Sequence, residues 1–177
     1  MKRCIPELSL VKVYPIIREL ISFVISAAAN RLPAHEVEKG LFDRLLQFGQ
    51  VLLQQFFQEA GDGDDGESIQ AEVVDASVGV TTRKYIRTKK LRQRQYRSIF
   101  GAVTVERYGY SDGEVTVYPF DQQCMFPRNQ ISYLLQQWVQ GFCVHDSFAE
   151  ATAKLDEILG TSVSVRKADH LPEAITW

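Results

Sequence analysis

"SIFGAVTVERYGYSDGEVTVYPFD", residues 98–121, contains two runs in which apolar and polar side chains alternate: Val103 and Val105 with Thr104 and Glu106, then Val115 and Val117 with Thr116 and Tyr118. A period of two marks a strand with one buried face, and Ser111-Asp112-Gly113 between the runs is turn chemistry. The spacing predicts a central β-hairpin whose second strand ends at Pro119, because proline cannot donate to a ladder.

Immediately upstream, "RKYIRTKKLRQRQYR" (83–97) holds eight of the chain's 20 basic residues and no acid: Arg83, Lys84, Arg87, Lys89, Lys90, Arg92, Arg94 and Arg97. The remaining 12 basic residues face all 22 acidic ones, so a net charge of −2 conceals a segregated distribution. Gathering like charges costs energy that a polyanion offsets, and each neutralised phosphate releases counterions. The strap is therefore expected to bind phosphates, with Arg107 beside it and with Tyr85 and Tyr96 as stacking or phosphate-bonding partners. The opposing reading is a solvated basic surface, or a partner for the acidic loop described next.

"GDGDDGES" (61–68) carries three glycines, four acids and no apolar residue, and reads as a solvated loop opening a linker over 61–82. Its glycine and glutamate do not stand where a calcium-binding EF-hand loop needs them. Before it come two helices. Ile17, Leu20, Ile21, Val24, Ile25 and Ala28 form one stripe on a helix starting near Pro15. The second helix has Pro33 in its first turn, and its stripe runs through Phe42, Leu45, Leu46, Leu52, Leu53, Phe56 and Phe57, widened by Leu41, Phe48 and Val51. A stripe so wide suits a buried bundle helix or one that also packs on a second chain. The apolar stretch near the N-terminus is broken by Glu7, Lys12, Arg18 and Glu19 and is too short to span a bilayer, so no membrane partner is expected.

The last third returns to helical spacing at Leu134, Leu135, Trp138, Val139 and Phe142. Ser147 and Glu150 form a capping box for a helix over 148–159, and Gly160 suits a left-handed stop. A further helix through Val165, Ala168 and Leu171 completes a helix-turn-helix over 148–171, with Ser162, Ser164, Arg166 and Lys167 toward DNA. Two bundle helices joined by a glycine turn are the plainer alternative.

Chemistry has less support. His35, His145 and His170 are scattered, and Cys143-x-His145 supplies two ligands where zinc needs four. Three cysteines without a CxxC spacing imply neither a disulfide framework nor a zinc knuckle and fit a reducing cytoplasm. Phosphate-cradle, zinc-protease and nucleophile-elbow motifs are absent. No catalytic and no metal-binding residues are assigned.

"RQYRSIFGAVTVERYGY" (94–110) and "YPFDQQCMFPRNQISYLLQQWVQGFCVHDSFAEATAKLDEILGTSVS" (118–164) resemble the N-terminal half of bacterial insertion-sequence DDE transposases of the ISKra group. The resemblance spans about residues 35–171 and rests on several segments. Its lead-in is Arg94, Tyr96, Phe100 and Gly101, followed by Arg107 and Tyr110 in the hairpin. Pro119 and Asp121 come next, then Pro127 before a helix led by Ser132. Ser147, Phe148 and Ala151 mark the last helix, with Gly160, Val163 and Ser164 at its turn. The resemblance implies an element-end DNA-binding region ahead of an RNase H-like domain that uses three carboxylates and a divalent metal such as Mg²⁺. Some relatives carry a cysteine pair in the hairpin, and this chain has none there. Nothing after residue 121 reads as an RNase H-like fold, so the chain is expected to be a truncated or separately encoded part, inactive alone and without a cofactor of its own.

The expectation is an α+β protein, mainly helical, with a central β-hairpin and a C-terminal helix-turn-helix. Its parts are a helical region (1–60), an acidic flexible linker (61–82), a basic segment with the hairpin (83–127) and a DNA-binding region (128–177). The partner expected is the duplex DNA of the terminal inverted repeats, together with a second copy or a catalytic-domain partner. The rival from another class is a helical oligomerisation or regulatory protein that pairs with full-length transposase through the apolar helices.

Overall fold

The computed structural model describes residues 8–75, 79–144 and 147–160. Helix and sheet are mixed, as expected of an α+β chain. The order is α1 (Leu8–Ala29), α2 (Ala34–Ala60), β1 (Ser68–Asp75), β2 (Gly79–Arg87), β3 (Arg92–Ser98) and β4 (Gly101–Arg107). Then follow β5 (Tyr110–Ser111), β6 (Thr116–Val117), α3 (Pro119–Gln123), α4 (Tyr133–Cys143) and α5 (Phe148–Leu159).

α1 does not begin at Pro15 but runs through it from Leu8. A proline inside a helix gives up one donor and crowds one turn, a local cost that the other turns of a 22-residue helix can carry. At its end Asn30 Nδ2 donates to the Ser26 carbonyl at 2.8 Å, and the chain reverses into α2 behind Pro33. The two helices pack antiparallel, with Phe23 against Gly40 and the Arg44 guanidinium 3.8 Å from the Phe23 ring centre.

Pairing of the strands departs from the sequence expectation twice. Of the described residues of the expected linker, 61–67 are loop and the rest are strand, because β1 and β2 form a long antiparallel hairpin from Ser68↔Ile86 to Asp75↔Gly79. Ile69 and Ala71 lie opposite Tyr85 and Arg83, and Tyr85 is buried. The second departure concerns β4, which pairs backward with β3, from Arg92↔Arg107 to Ser98↔Gly101, instead of forward with the run at 115–118. A two-residue turn at Ile99-Phe100 makes this possible. Phe100 N donates to Ser98 Oγ, Ser98 Oγ donates to the Gly101 carbonyl, and Gly101 takes a positive φ of 113° that other residues rarely adopt. Backward pairing joins strands of seven residues, whereas the turn at Ser111-Asp112-Gly113 joins strands of two. The sheets are ordered β1-β2-β5-β6 and β3-β4.

α2 links two apolar cores. Near its C-terminus, Phe57 packs with Val103, Val105 and Phe120, and its ring meets Tyr96 and Phe126 edge-on at 5.4 and 5.3 Å. Nearer its middle, Leu46 meets Ile131, Leu135 and Val139 of the α4 region and Leu155 and Leu159 of α5. Between the two, Gly49 lets the turn residue Phe100 approach, since a Cβ there would stand 2.4 Å from the ring.

α4 is capped by Ser132, whose oxygen accepts from Leu135 N at 3.1 Å. α5 has the expected capping box, with Ser147 and Glu150 bonded reciprocally, and ends at Gly160 in the left-handed conformation. The second helix of the expected helix-turn-helix, with Ser162, Ser164, Arg166 and Lys167, lies outside the described residues.

Candidate nucleic-acid interface

The basic strap is not one continuous arm. It runs up β2, through a short connection at 88–91, and back down β3 in the other sheet, so successive cations face different surroundings. Strand alternation sorts them.

One set turns inward. Arg94 donates to Asp121 Oδ2 at 2.8 Å and to the carbonyls of Pro127 and Asn129. Arg107 reaches both oxygens of the same carboxylate and lies 4.1 Å from the Tyr118 ring centre. Their side chains are 14% and 8% exposed, against 17% for Asp121. Arg94 and Arg107, both expected on phosphates, thus share one half-buried carboxylate. Tyr85 is buried and Tyr96 stands among the core aromatic rings, so neither offers a stacking platform.

A second set is half-exposed and paired. Arg87 bonds Asp64 of the acidic loop and stacks 4.8 Å from the Tyr108 ring centre. Arg83 bonds Asp112 at 3.4 Å. The amide of Gly66 and then Arg87 hold the Asp64 carboxyl below its ordinary 3.8. Asp64 in turn pushes the Arg87 guanidinium above its usual range. The amides of Val115 and Glu114, and then Arg83, hold Asp112 low in the same way. Arg97 is half-buried on β3 and lines a cavity of about 580 Å³ with Asp43, Gln50, Phe100 and Glu157.

The third set points to solvent. Lys84 stands on the outer face of β2 opposite Gln70. Lys89 and Lys90 form the tip of the β2–β3 connection, where Thr88 Oγ1 donates to the Lys90 carbonyl at 3.1 Å, and Arg92 opens β3. All four are exposed, and none of their side chains has a bonded partner among the described residues. Sequence reasoning found every cation and offered the acidic loop that holds Asp64 as a possible partner, but it missed Asp112 and Asp121; the three carboxylates pair four of the nine cations. Asp121 carried a signal as part of the P-x-D segment, although nothing there indicated its partners.

Among the described residues no group of three or more His, Cys, Asp or Glu side chains is placed to hold a metal ion. No helix among them is long and apolar enough to cross a membrane. Compared with protein-family models, curated proteins and solved structures, the chain matches none.

Proposed function

We propose that this chain is the DNA-binding N-terminal part of an insertion-sequence transposase of the ISKra group, holding element-end DNA in the cytoplasm. The observation that carries this reading is the third set of cations. Lys84 on β2, Lys89 and Lys90 on the connection and Arg92 at the start of β3 are exposed and unbonded among the described residues, while Arg83, Arg87, Arg94 and Arg107 are neutralised from within. Exposed cations on a hydrogen-bonded turn and on the two strands that flank it are well placed to meet backbone phosphates, which fix orientation without reading sequence. Sequence preference is assigned to Arg166 and Lys167, with Ser162 and Ser164, which follow α5 in the sequence and are proposed to lie in or beside the major groove. Strand transfer belongs to the carboxylates and Mg²⁺ of an RNase H-like domain acting with this part.

The test is a binding titration of the purified chain against the terminal inverted repeats and a scrambled duplex, over about 50 to 200 mM salt, where phosphate contacts show as a linear loss of log affinity. Tighter binding to the repeats with a steep salt slope, and loss of the preference on Arg166→Ala with Lys167→Ala, is the expected result. Equal and weak binding to both duplexes would overturn it.

A further inference from the structure

In the α1–α2 hairpin, Phe23 of α1 against Gly40 and Arg44 of α2 fixes which sides of the helices meet. Among the described side chains of α1, the less exposed ones, at Val13, Ile16, Leu20, Phe23 and Ala27, continue that line. One residue further round each helix the character changes. On α1, Ile17, Ile21, Val24 and Ile25 are 40%, 56%, 42% and 65% exposed. On α2, Leu45 follows Arg44 and is 51% exposed, with Phe42 at 40%. A step of one residue is a rotation of about 100°, and antiparallel helices rotate in opposite senses when viewed from one end. The step therefore carries both stripes to the same side of the hairpin. Leu52 and Phe56 prolong the α2 stripe, at 42% and 57% exposure. No charged residue is among these eight.

We infer that this face is where a second copy of the chain docks, the two hairpins closing into a four-helix bundle. Area supports that occupant. α1 has 22 residues, about 33 Å at 1.5 Å per residue, and two helices set about 10 Å apart give a face of roughly 650 Å². A symmetric pair would cover about 1,300 Å², within the range of specific, stable interfaces. The eight side chains carry no charge, so this part of the face meets its own two-fold mate without burying an unpaired charge, and exposed Glu38, one turn before Phe42, closes the α2 stripe at its end. Each helix would then bury both of its apolar sides, the usual solution for a bundle. This inference stands apart from DNA binding, since it uses none of the cations above.

Sedimentation velocity on the full chain, from about 1 to 100 μM, reads the result directly. The parent should sediment as a dimer, twice the 20.1 kDa chain mass. Ile21→Glu with Ile25→Glu should weaken the dimer at least about ten-fold, with an unchanged far-ultraviolet circular dichroism spectrum. Leu45→Glu, on the other helix, should do the same, so that one misfolded variant does not decide the matter. Val80→Glu, at an exposed apolar position on β2, should leave the dimer intact. A parent that stays monomeric at the highest concentration overturns the inference, whether the face then binds phosphatidylglycerol vesicles or nothing. A dimer that persists in both folded helix variants overturns it equally.

Discussion

Gln54 on α2 bonds both backbone groups of Thr104: its Nε2 donates to the Thr104 carbonyl at 2.9 Å, and its Oε1 accepts from the Thr104 amide at 3.1 Å. One turn earlier, Gln50 Nε2 donates to the Ala102 carbonyl at 2.7 Å. These side-chain amides act as a surrogate strand along the outer edge of β4, which is otherwise free to pair with another chain. Gln54→Met keeps the volume and removes both bonds, leaving Thr104 half-buried and unsatisfied. The expected cost is about 1–3 kcal/mol, which lowers the melting temperature by roughly 2–10 °C in a chain of this size. Hydrogen exchange at the Thr104 amide should quicken in parallel. Unchanged exchange there would show that the glutamine does not seal the edge.

Asp121 is the only carboxylate bonded to Arg94 and Arg107 among the described residues, and it ties β3, β4 and α3 together. Its removal would leave two largely buried guanidinium groups without a counter-charge, a situation that typically costs about 3–5 kcal/mol. Asp121→Asn is therefore expected to move the urea midpoint well below the parent. A variant within about 1 kcal/mol of the parent would mean that the Pro127 and Asn129 carbonyls suffice.

How far the sequence could be read depended on the range of the forces involved. The helical spacing through Phe57, the Ser147–Glu150 box and the stop at Gly160 are local, each set within a few residues, and each stands where the sequence put it, although Phe42, Leu45, Leu52 and Phe56 of the expected α2 stripe are exposed. β3 was hidden because the residues it turns inward are Arg94, Tyr96 and Ser98, which look like surface until Asp121 and the aromatic cluster are brought to them. β1 did carry a legible alternation at Ile69, Ala71 and Val73, masked by the acidic loop before it. For the candidate interface, the cations could be counted and the acidic loop named as a possible partner, but the individual pairs could not be read. Arg87 meets a carboxylate 23 residues away, Arg94 one 27 away and Arg83 one 29 away, and only the folded chain selects such pairs.

Asp112 anchors the turn between β5 and β6 by accepting from Val115 N at 2.8 Å and Glu114 N at 3.0 Å. Those donors favour the carboxylate, so its folded pKa lies below the ordinary 3.8. A depressed acid stabilises the fold above its unfolded pKa, and the contribution fades as pH falls through the lower folded value. Side-chain carboxyl NMR shifts should show Asp112 still mostly ionised at pH 3.8, with the turn amides shifting only below that. Titration of Asp112 at 3.8 or above would contradict the anchoring role.

Asp64 offers a direct measure of how internal pairing limits the interface. Its carboxylate holds Arg87 at the end of β2, immediately before the exposed tip at Lys89 and Lys90. If exposed cations are what phosphates meet, Asp64→Asn should release Arg87 and steepen the salt dependence of duplex binding by up to about one phosphate equivalent. Replacing Lys84, Lys89, Lys90 and Arg92 with Ala should flatten the same slope by about three to four, one contact for each cation removed. Because none of these four side chains has a bonded partner among the described residues, the melting temperature of that variant should stay within about 2 °C of the parent. Anisotropy titrations at several salt concentrations give both slopes. If the four-fold variant keeps the parent slope while folded, the duplex lies against another surface.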